Sequence, residues 1–463
     1  MSVPDVLTWL SERGESATVN IQRLPLSRLK GWCLDREGNL AHESGRFFTI
    51  EGLEVETNWG TTRAWNQPII NQPEIGVLGI IGKEIGGILY LLLQAKMEPG
   101  NVNGPQLSPT LQATKSNYTR AHEGHAPPYL EVFTDQLHKS IILIDQLQSE
   151  QGARFLRKRN RNIIIKVDRE IPTYENFCWL TLGQIYRLLR IDNVVNMDTR
   201  SVISAIPLAP LKSTPLAELR ARSVKPKSIS EQQVDFAKIS LSGEKGANDL
   251  THVLSWITSR KVKYYLRTKR IGLTELSYWK ITEDAIVHED TSFFSVIGVS
   301  VEISGREVAI WDQPLLRPAG NGIIALIAKK FGGVYQFLVQ AKVEGGHLDV
   351  LEVAPTVQCI TVDYQTLPKA DWPPFLAYVL DATPERILLD SVQSEEGGRF
   401  FKEHTRHLLV LAQDDSLDEL SEDYCWVTLG QLKRLVPYNN VLNIEARSLV
   451  SVISSMISAL AAE

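Results

Sequence analysis

The chain is written twice, and any fold it adopts has to accommodate that. Asp5-Val-Leu-Thr-Trp9-Leu lines up with His252-Val-Leu-Ser-Trp256-Ile, 247 positions on, and Trp32 reaches Trp279 at the same interval. At an interval of 246, Phe47-Phe48 meets Phe293-Phe294, and Trp65-Asn-Gln67-Pro68 meets Trp311-Asp-Gln313-Pro314. Gln94-Ala-Lys96-Met-Glu98 then matches Gln340-Ala-Lys342-Val-Glu344, and Pro109-Thr-Leu-Gln112 matches Pro355-Thr-Val-Gln358. Near the ends of the copies, Ser149-Glu150-x-Gly152-x-Arg154-Phe155 meets Ser394-Glu395-x-Gly397-x-Arg399-Phe400, and Cys178-Trp179 meets Cys425-Trp426. The order never changes. Repeats this long are duplicated domains, because solenoid units are several-fold shorter. Two similar domains are expected, residues 1–205 and 248–463, joined by a Pro/Ser/Lys-rich linker over 206–247.

Each copy reads as mixed structure. DVLTWLSER and HVLSWITSR have the spacing of opening amphipathic helices. FFTIEGLEVE and FFSVIGVSVEI carry the β-branched and aromatic residues of strands, and Gly87–Glu98 reads as a buried strand running out to polar residues. The segments ending in SEQGARF and SEEGGRF are expected to end in helices. TLGQIYRLLR and TLGQLKRLV are expected to be short closing helices with Thr181 and Thr428 as N-caps. Strands and helices interleave, so the class is α/β or α+β. No apolar run approaches the roughly 18 residues of a membrane span, the N-terminus lacks a signal-peptide pattern, and the four cysteines are far apart. A soluble protein of a reducing cytoplasm is expected. A net charge of -5 argues against a dedicated nucleic-acid binder.

Polar chemistry collects in a few places. Residues two apart share a strand face, so Gln94, Lys96 and Glu98 point one way, as do Gln340, Lys342 and Glu344 in the second copy. An apolar strand ending in an amide, a cation and a carboxylate on one face makes a pocket floor; a structural Lys–Glu pair is the competing explanation. The following segment, from Gly100 to His125, separates the copies. Asn101, Ser108, Gln112, Lys115, Asn117, Tyr118, Arg120 and His122 crowd the first. The second substitutes Ala354 for Ser108, Ile360 for Thr114, Val362 for Ser116 and Pro368 for His122. That density suits a polar ligand, whose buried groups each need a partner; a solvated loop is the bland alternative. Arg154 and Arg161 have counterparts in Arg399 and Arg406 and are phosphate or structural candidates. Trp65 and Trp311 are suited to stacking on a ring or to filling a core. His122 and His125 lack a third ligand, so no metal site is expected. The chain has no GxGxxG after a strand, GxxxxGK[ST], HExxH or GxSxG motif.

QPEIGVLGI, LLQAKMEPGN, QLSPTLQATKSNYTRAH and YLEVF in the first copy, with QAKVEGG, LEVAPTVQC and SEEGGRF in the second, resemble the NDP-hexose 2,3-dehydratase family. The resemblance covers nearly the whole chain apart from the linker. It implies an α+β fold of tandem Nudix-like domains, each a mixed sheet flanked by helices. The Nudix box GX5EX7REUXEEXGU is not intact here, which argues against a divalent-metal pyrophosphatase. The implied substrate is dTDP-4-keto-6-deoxy-glucose, which would lose its C3 proton and C2 hydroxyl to give the 3,4-diketo-2,6-dideoxy sugar. No hydride moves, so no cofactor is implied for this step. The resemblance further implies a homodimer, and a downstream 3-ketoreductase would act on the product. Under this reading Glu98, His122 and Tyr118 are the acid and base candidates, and Lys96, with Gln94 or Gln112, would stabilise the oxyanion. Arg120, Lys115, Arg154 or Arg161 would suit the diphosphate, and Trp65 and Asn117 the base or sugar. Gln67, Asn101 and Ser108 complete the expected substrate set. Trp311, Gln340, Lys342, Glu344, Gln358, Tyr364 and Arg399 would form a second nucleotide site. The competing function is a noncatalytic nucleotide-sugar binding protein.

Overall fold

The computed structural model describes residues 1–114, 126–207, 236, 248–305, 308–360, 364, 368–369, 372–413, 417 and 420–462. It is a mixed α+β architecture with a two-fold internal repeat. Each copy carries a seven-stranded mixed sheet. In the first, the order is Ile141–Ser149, Arg159–Lys166, Gly76–Ile85, Ile88–Lys96, Phe177–Thr181, with two short strands, Gln106–Ser108 and Leu111–Ala113, added to the middle pair. Gly76–Ile85 and Arg159–Lys166 run parallel, and the other pairs are antiparallel. The second copy repeats this with Ile387–Ser394, His404–Leu411, Gly322–Phe331, Val334–Lys342 and Tyr424–Thr428.

The strands are apolar on both faces because both faces are covered. Leu91, Leu93 and Ala95 enter a cluster with Val6 and Leu10 of the opening helix Val3–Ser16 and with Ile185, Leu188, Val202 and Ile203. Leu92, between them, enters the opposite cluster with Tyr129, Val132 and Phe133. The closing helices Leu182–Leu188 and Leu429–Leu435 begin at Thr181 and Thr428, each in a capping box with Gln184 or Gln431. The opening helices and the strands Thr49–Thr57, Ser295–Ile303 and Ile88–Lys96 lie where periodicity puts them.

One expectation fails. The segments leading to SEQGARF and SEEGGRF end as edge strands, Ile141–Ser149 and Ile387–Ser394, followed by turns rather than helices. Ile141-Ile-Leu-Ile144 and Ile387-Leu-Leu389 favour the extended ladder, and the Gly that follows ends any regular element. Ser149–Gly152 and Ser394–Gly397 therefore follow strands rather than helices.

The two copies also exchange strands. Val19–Leu24 of the first pairs with Ser295–Ile303 of the second, and Leu266–Ile271 of the second pairs with Thr49–Thr57 of the first. Phe155 and Phe400 meet edge to face in a cluster drawn from both copies. Two glycines lock the crossing. A Cβ on Gly100 would sit 1.7 Å from the Phe400 carbonyl oxygen, and one on Gly346 would sit 1.9 Å from that of Phe155. Gly100 and Gly346 donate their N–H groups to the carbonyls of Gly397 and Gly152, each at 2.7 Å. In the linker, Phe236 is buried against Tyr335 and Phe337. Among the described residues no helix is long and apolar enough to cross a membrane.

Candidate functional site

The glycine crossings bring the Glu-x-Gly-x-Arg segment of one copy over the strand end of the other, and a cavity of about 430 Å³ lies beneath. Its floor is the end of strand Ile88–Lys96: Lys96 Nζ and Glu98 Oε1 are 2.9 Å apart, both buried. Glu150 and Lys158 rise from the turn after Ile141–Ser149, Asn160 stands at the start of the strand Arg159–Lys166, and Asp198 enters from the helix Met197–Ser204. The second copy supplies Trp311, Gln313, Glu396 and Arg399. Trp32, His42, Phe47 and Phe48 form an aromatic side.

Hydrogen bonds hold several of these polar groups. Asn160 Nδ2 donates to Glu150 Oε1 at 2.6 Å, while its Oδ1 accepts from Gly76 N at 3.1 Å. Lys158 Nζ donates to the Glu74 carbonyl. Ser108 Oγ donates to Gln112 Oε1 at 2.9 Å, and Asn196 Nδ2 donates to Ser108 Oγ at 3.3 Å. Trp311 Nε1 donates to Gln313 Oε1, whose Nε2 donates to the Gly398 carbonyl, both at 2.8 Å. Arg399 stacks over Phe48 at 4.2 Å and donates to Gln72 Oε1 at 3.3 Å.

Five carboxylates, Glu98, Glu150, Asp198, Asp312 and Glu396, thus share the cavity with Lys96, Lys158 and Arg399. Burial penalises the charged forms. It pushes Glu150 up to about 7, with Arg447 opposing and Glu396 reinforcing the rise. Burial likewise raises Asp198 well above the usual carboxylate range and raises Glu396. It brings Lys158 down to about 8, against the pull of Glu150. A carboxyl that is half protonated near neutral pH can give a proton and take one back. Among the described residues, no group of three or more His, Cys, Asp and Glu is disposed to hold a metal.

The structure redistributes the residues expected from sequence. Lys96, Glu98 and Gln112 line the cavity, and Ser108 orients Gln112 from beneath. Asn101 holds the loop, donating to the carbonyls of Lys96 and Gly104 at 3.2 and 2.8 Å. Gln94 is not in the lining. Lys115, Asn117, Tyr118, Arg120 and His122 lie outside the described residues.

Trp65, Gln67 and Arg154 are on the wrong side for the first-copy cavity, and Trp311 and Arg399 are on the right one. The reason is the crossing: each copy lends these groups to its twin. Trp65 Nε1 donates to Gln67 Oε1, Gln67 donates to the Ala153 carbonyl, and Arg154 stacks over Phe294 at 4.2 Å, mirroring the Trp311–Gln313–Arg399 set. Arg161 is spent on Asp145, through two bonds of 2.6 and 2.7 Å at the partly exposed sheet edge, and Arg406 does the same with Asp390.

The twin region in the second copy is tied up internally. Glu344 faces His347 at 3.4 Å and accepts from Gln358 Nε2 at 3.0 Å; Asn443 then donates to Gln358 Oε1 at 2.7 Å. Burial works against the Glu344 charge, but the His347 bond and nearby cations win and hold its carboxyl low. Lys342 lies over the Trp59 ring at 5.9 Å, and Gln340 donates to the Pro355 carbonyl at 2.9 Å. Tyr364 packs half-buried on the outer core.

Sequence reasoning missed Glu150, Lys158, Asp198 and Glu396 as lining residues. A signal existed for Asp198: Asn196-Met-Asp198-Thr-Arg200-Ser201 repeats as Asn443-Ile-Glu445-Ala-Arg447-Ser448. Lys158 and Glu396 stand where the twin has Glu403 and Gln151, so the repeat itself marks where the two copies diverge.

Fold and site define a class: a duplicated α+β protein with a charge-lined cavity built from both copies. The model of the NDP-hexose 2,3-dehydratase family matches residues 3–206 and 250–453, and the chain belongs to that family. It is 47% identical over 450 residues to a dTDP-4-dehydro-6-deoxy-alpha-D-glucopyranose 2,3-dehydratase of Saccharopolyspora spinosa, covering 97% of this chain and 90% of that protein. Proteins of the same name from Amycolatopsis orientalis and Streptomyces violaceoruber are 41% and 42% identical, covering 98% and 97% of this chain and 91% and 96% of theirs.

Proposed function

We propose that this chain removes water across C2 and C3 of dTDP-4-keto-6-deoxy-glucose, giving the 3,4-diketo-2,6-dideoxy sugar in deoxysugar biosynthesis. The name and near-complete coverage of three relatives support the substrate and reaction. The observation that carries the chemistry is a cavity holding a Lys96–Glu98 pair beside a Glu150 poised near neutral pH.

The reaction needs three groups. Glu98, paired with Lys96, takes the C3 proton, and the electron pair moves onto the C4 oxygen. Lys96 and Gln112 donate to that oxyanion, whose stabilisation is commonly the largest single contribution in such chemistry. Glu150, protonated, gives its proton to the departing C2 hydroxyl, which leaves as water. The C2–C3 enol then tautomerises to the 3-ketone. Arg399 takes the diphosphate, for which a guanidinium fork is suited. The aromatic side around Trp32 and Phe48 takes the base. Lys158 balances the carboxylates as protons move.

The finer fold reading is a tandem Nudix-like origin, supported by the mixed sheet with one central parallel pair flanked by helices in each copy. Homodimeric assembly, a cytoplasmic site of action and a partner 3-ketoreductase that removes the reactive diketone belong to the same proposal.

The test is to incubate the full chain with the 4-keto sugar nucleotide and a 3-ketoreductase with its reductant, and to read product mass and C2 protons. A 2-deoxy product is expected. Tight binding with no loss of water would favour a binding protein instead, and release of nucleoside monophosphate would indicate pyrophosphate hydrolysis.

A further inference from the structure

Arg447, on the helix Ile444–Ala462 of the second copy, is fully buried. A buried guanidinium is costly unless every donor is used, and this one is used across the boundary between copies. Its Nη1 donates to the Leu442 carbonyl and its Nη2 to the Ser149 carbonyl, each at 2.5 Å; Nε donates to Ser201 Oγ at 3.1 Å. Ser149 is the residue before Glu150, so the contact fixes the peptide that aims the Glu150 side chain into the cavity. The geometry points to Arg447 as a positioning residue for Glu150, contributed by the second copy to the reaction in the first.

The duplication supplies a control. Arg200, also fully buried, donates to the carbonyls of Val195 and Ser394 at 2.6 Å each and to Ser448 Oγ at 2.8 Å. It therefore makes the same bonds toward Glu395 in the twin. A merely structural arginine predicts equal consequences at the two positions. A positioning role predicts a difference.

The groups facing Glu150 are Lys158 and Asn160 from its own hairpin, Asp198 from the helix Met197–Ser204, Glu396 from the crossing segment and Arg447. Of the charges opposing the rise of the Glu150 carboxyl, Arg447 acts most strongly. Glu150 must be protonated to act as the acid, so turnover falls as pH rises through its pKa. Removing the Arg447 charge raises that pKa and moves the alkaline limb to higher pH.

This inference rests on the proposed role of Glu150, which is checked first in the full chain: Glu150→Gln is expected to lower kcat by about 100-fold or more. A folded Glu150→Gln with normal kcat sinks that role, and this inference with it. With the role standing, kcat is measured against pH for Arg447→Met and Arg200→Met, with folding checked by near-ultraviolet circular dichroism. Arg447→Met is expected to displace the alkaline limb upward and lower kcat at least tenfold, while Arg200→Met leaves the limb in place. A limb unmoved in Arg447→Met, or moved equally in both variants, overturns the inference while leaving the role of Glu150 intact. If Arg447→Met does not fold, Arg447→Lys decides. It keeps the charge but cannot reach both carbonyls, so a severalfold lower kcat with an unmoved limb is expected, and wild-type kcat overturns the inference.

Discussion

At the scale of single residues, the duplication turns each substitution into a paired experiment. Glu98 and Glu344 stand at matching positions, but Glu98 faces Lys96 in the cavity whereas Glu344 is bonded to His347 and Gln358. Glu98→Gln is expected to lower kcat by about 100-fold or more, and Glu344→Gln far less, when both are assayed on the 4-keto sugar nucleotide. Glu403, where the first copy has Lys158, makes a different prediction. Burial pushes its carboxyl up to about 7, with Arg154 opposing and Glu395 adding to the rise. A carboxyl whose folded pKa exceeds its unfolded value favours folding below the unfolded value and loses that contribution as pH rises through about 7. Glu403→Gln should therefore raise the melting temperature relative to wild type at pH 8.5 by more than it does at pH 5. Calorimetry at the two pH values checks the sign.

At the scale of elements, the crossing loops decide whether a cavity exists at all. Gly100 and Gly346 have no room for a methyl group, because a carbonyl of the other copy occupies it. Gly100→Ala is expected to cost about 1–3 kcal/mol of stability, as overpacking does, and to lower turnover by lifting Arg399 and Glu396 off the floor. Denaturant midpoints and kcat/KM read the two effects. Much at this scale was legible beforehand. The opening helices, the capped closing helices and the strand carrying Lys96 follow from periodicity and cap residues, which are local. The strands and turns around Ser149 and Ser394 carried their own local signal, in the β-branched runs before them and the glycines within them, which the helical reading overlooked. The exchange of Trp65 for Trp311 and of Arg154 for Arg399 was hidden, because it is set by pairing between the copies. Sequence similarity between copies says which residues correspond, but not which copy's cavity each one serves.

At the scale of the whole molecule, the two copies are halves of one structure. Each sheet built on Thr49–Thr57 or Ser295–Ile303 contains a strand from the other copy, and the aromatic cluster around Phe155 and Phe400 draws on both. Fragments 1–207 and 248–463 made separately should be largely unfolded, each exposing an unpaired strand edge. Made together, they should co-purify and recover turnover. Circular dichroism of each fragment, alone and mixed, reads this.

The central claim is that the working cavity draws its second wall from the C-terminal copy. Measuring kcat/KM for the 4-keto sugar nucleotide in Arg399→Gln and Arg154→Gln tests it most directly, because the two arginines occupy the same position in the repeat and make the same stacking contact. Arg399→Gln is expected to lower kcat/KM by about 10–100-fold, the loss of one to two charge-assisted hydrogen bonds to a phosphate, with Arg154→Gln close to wild type. The reverse order, with Arg154→Gln impaired and Arg399→Gln active, would contradict it.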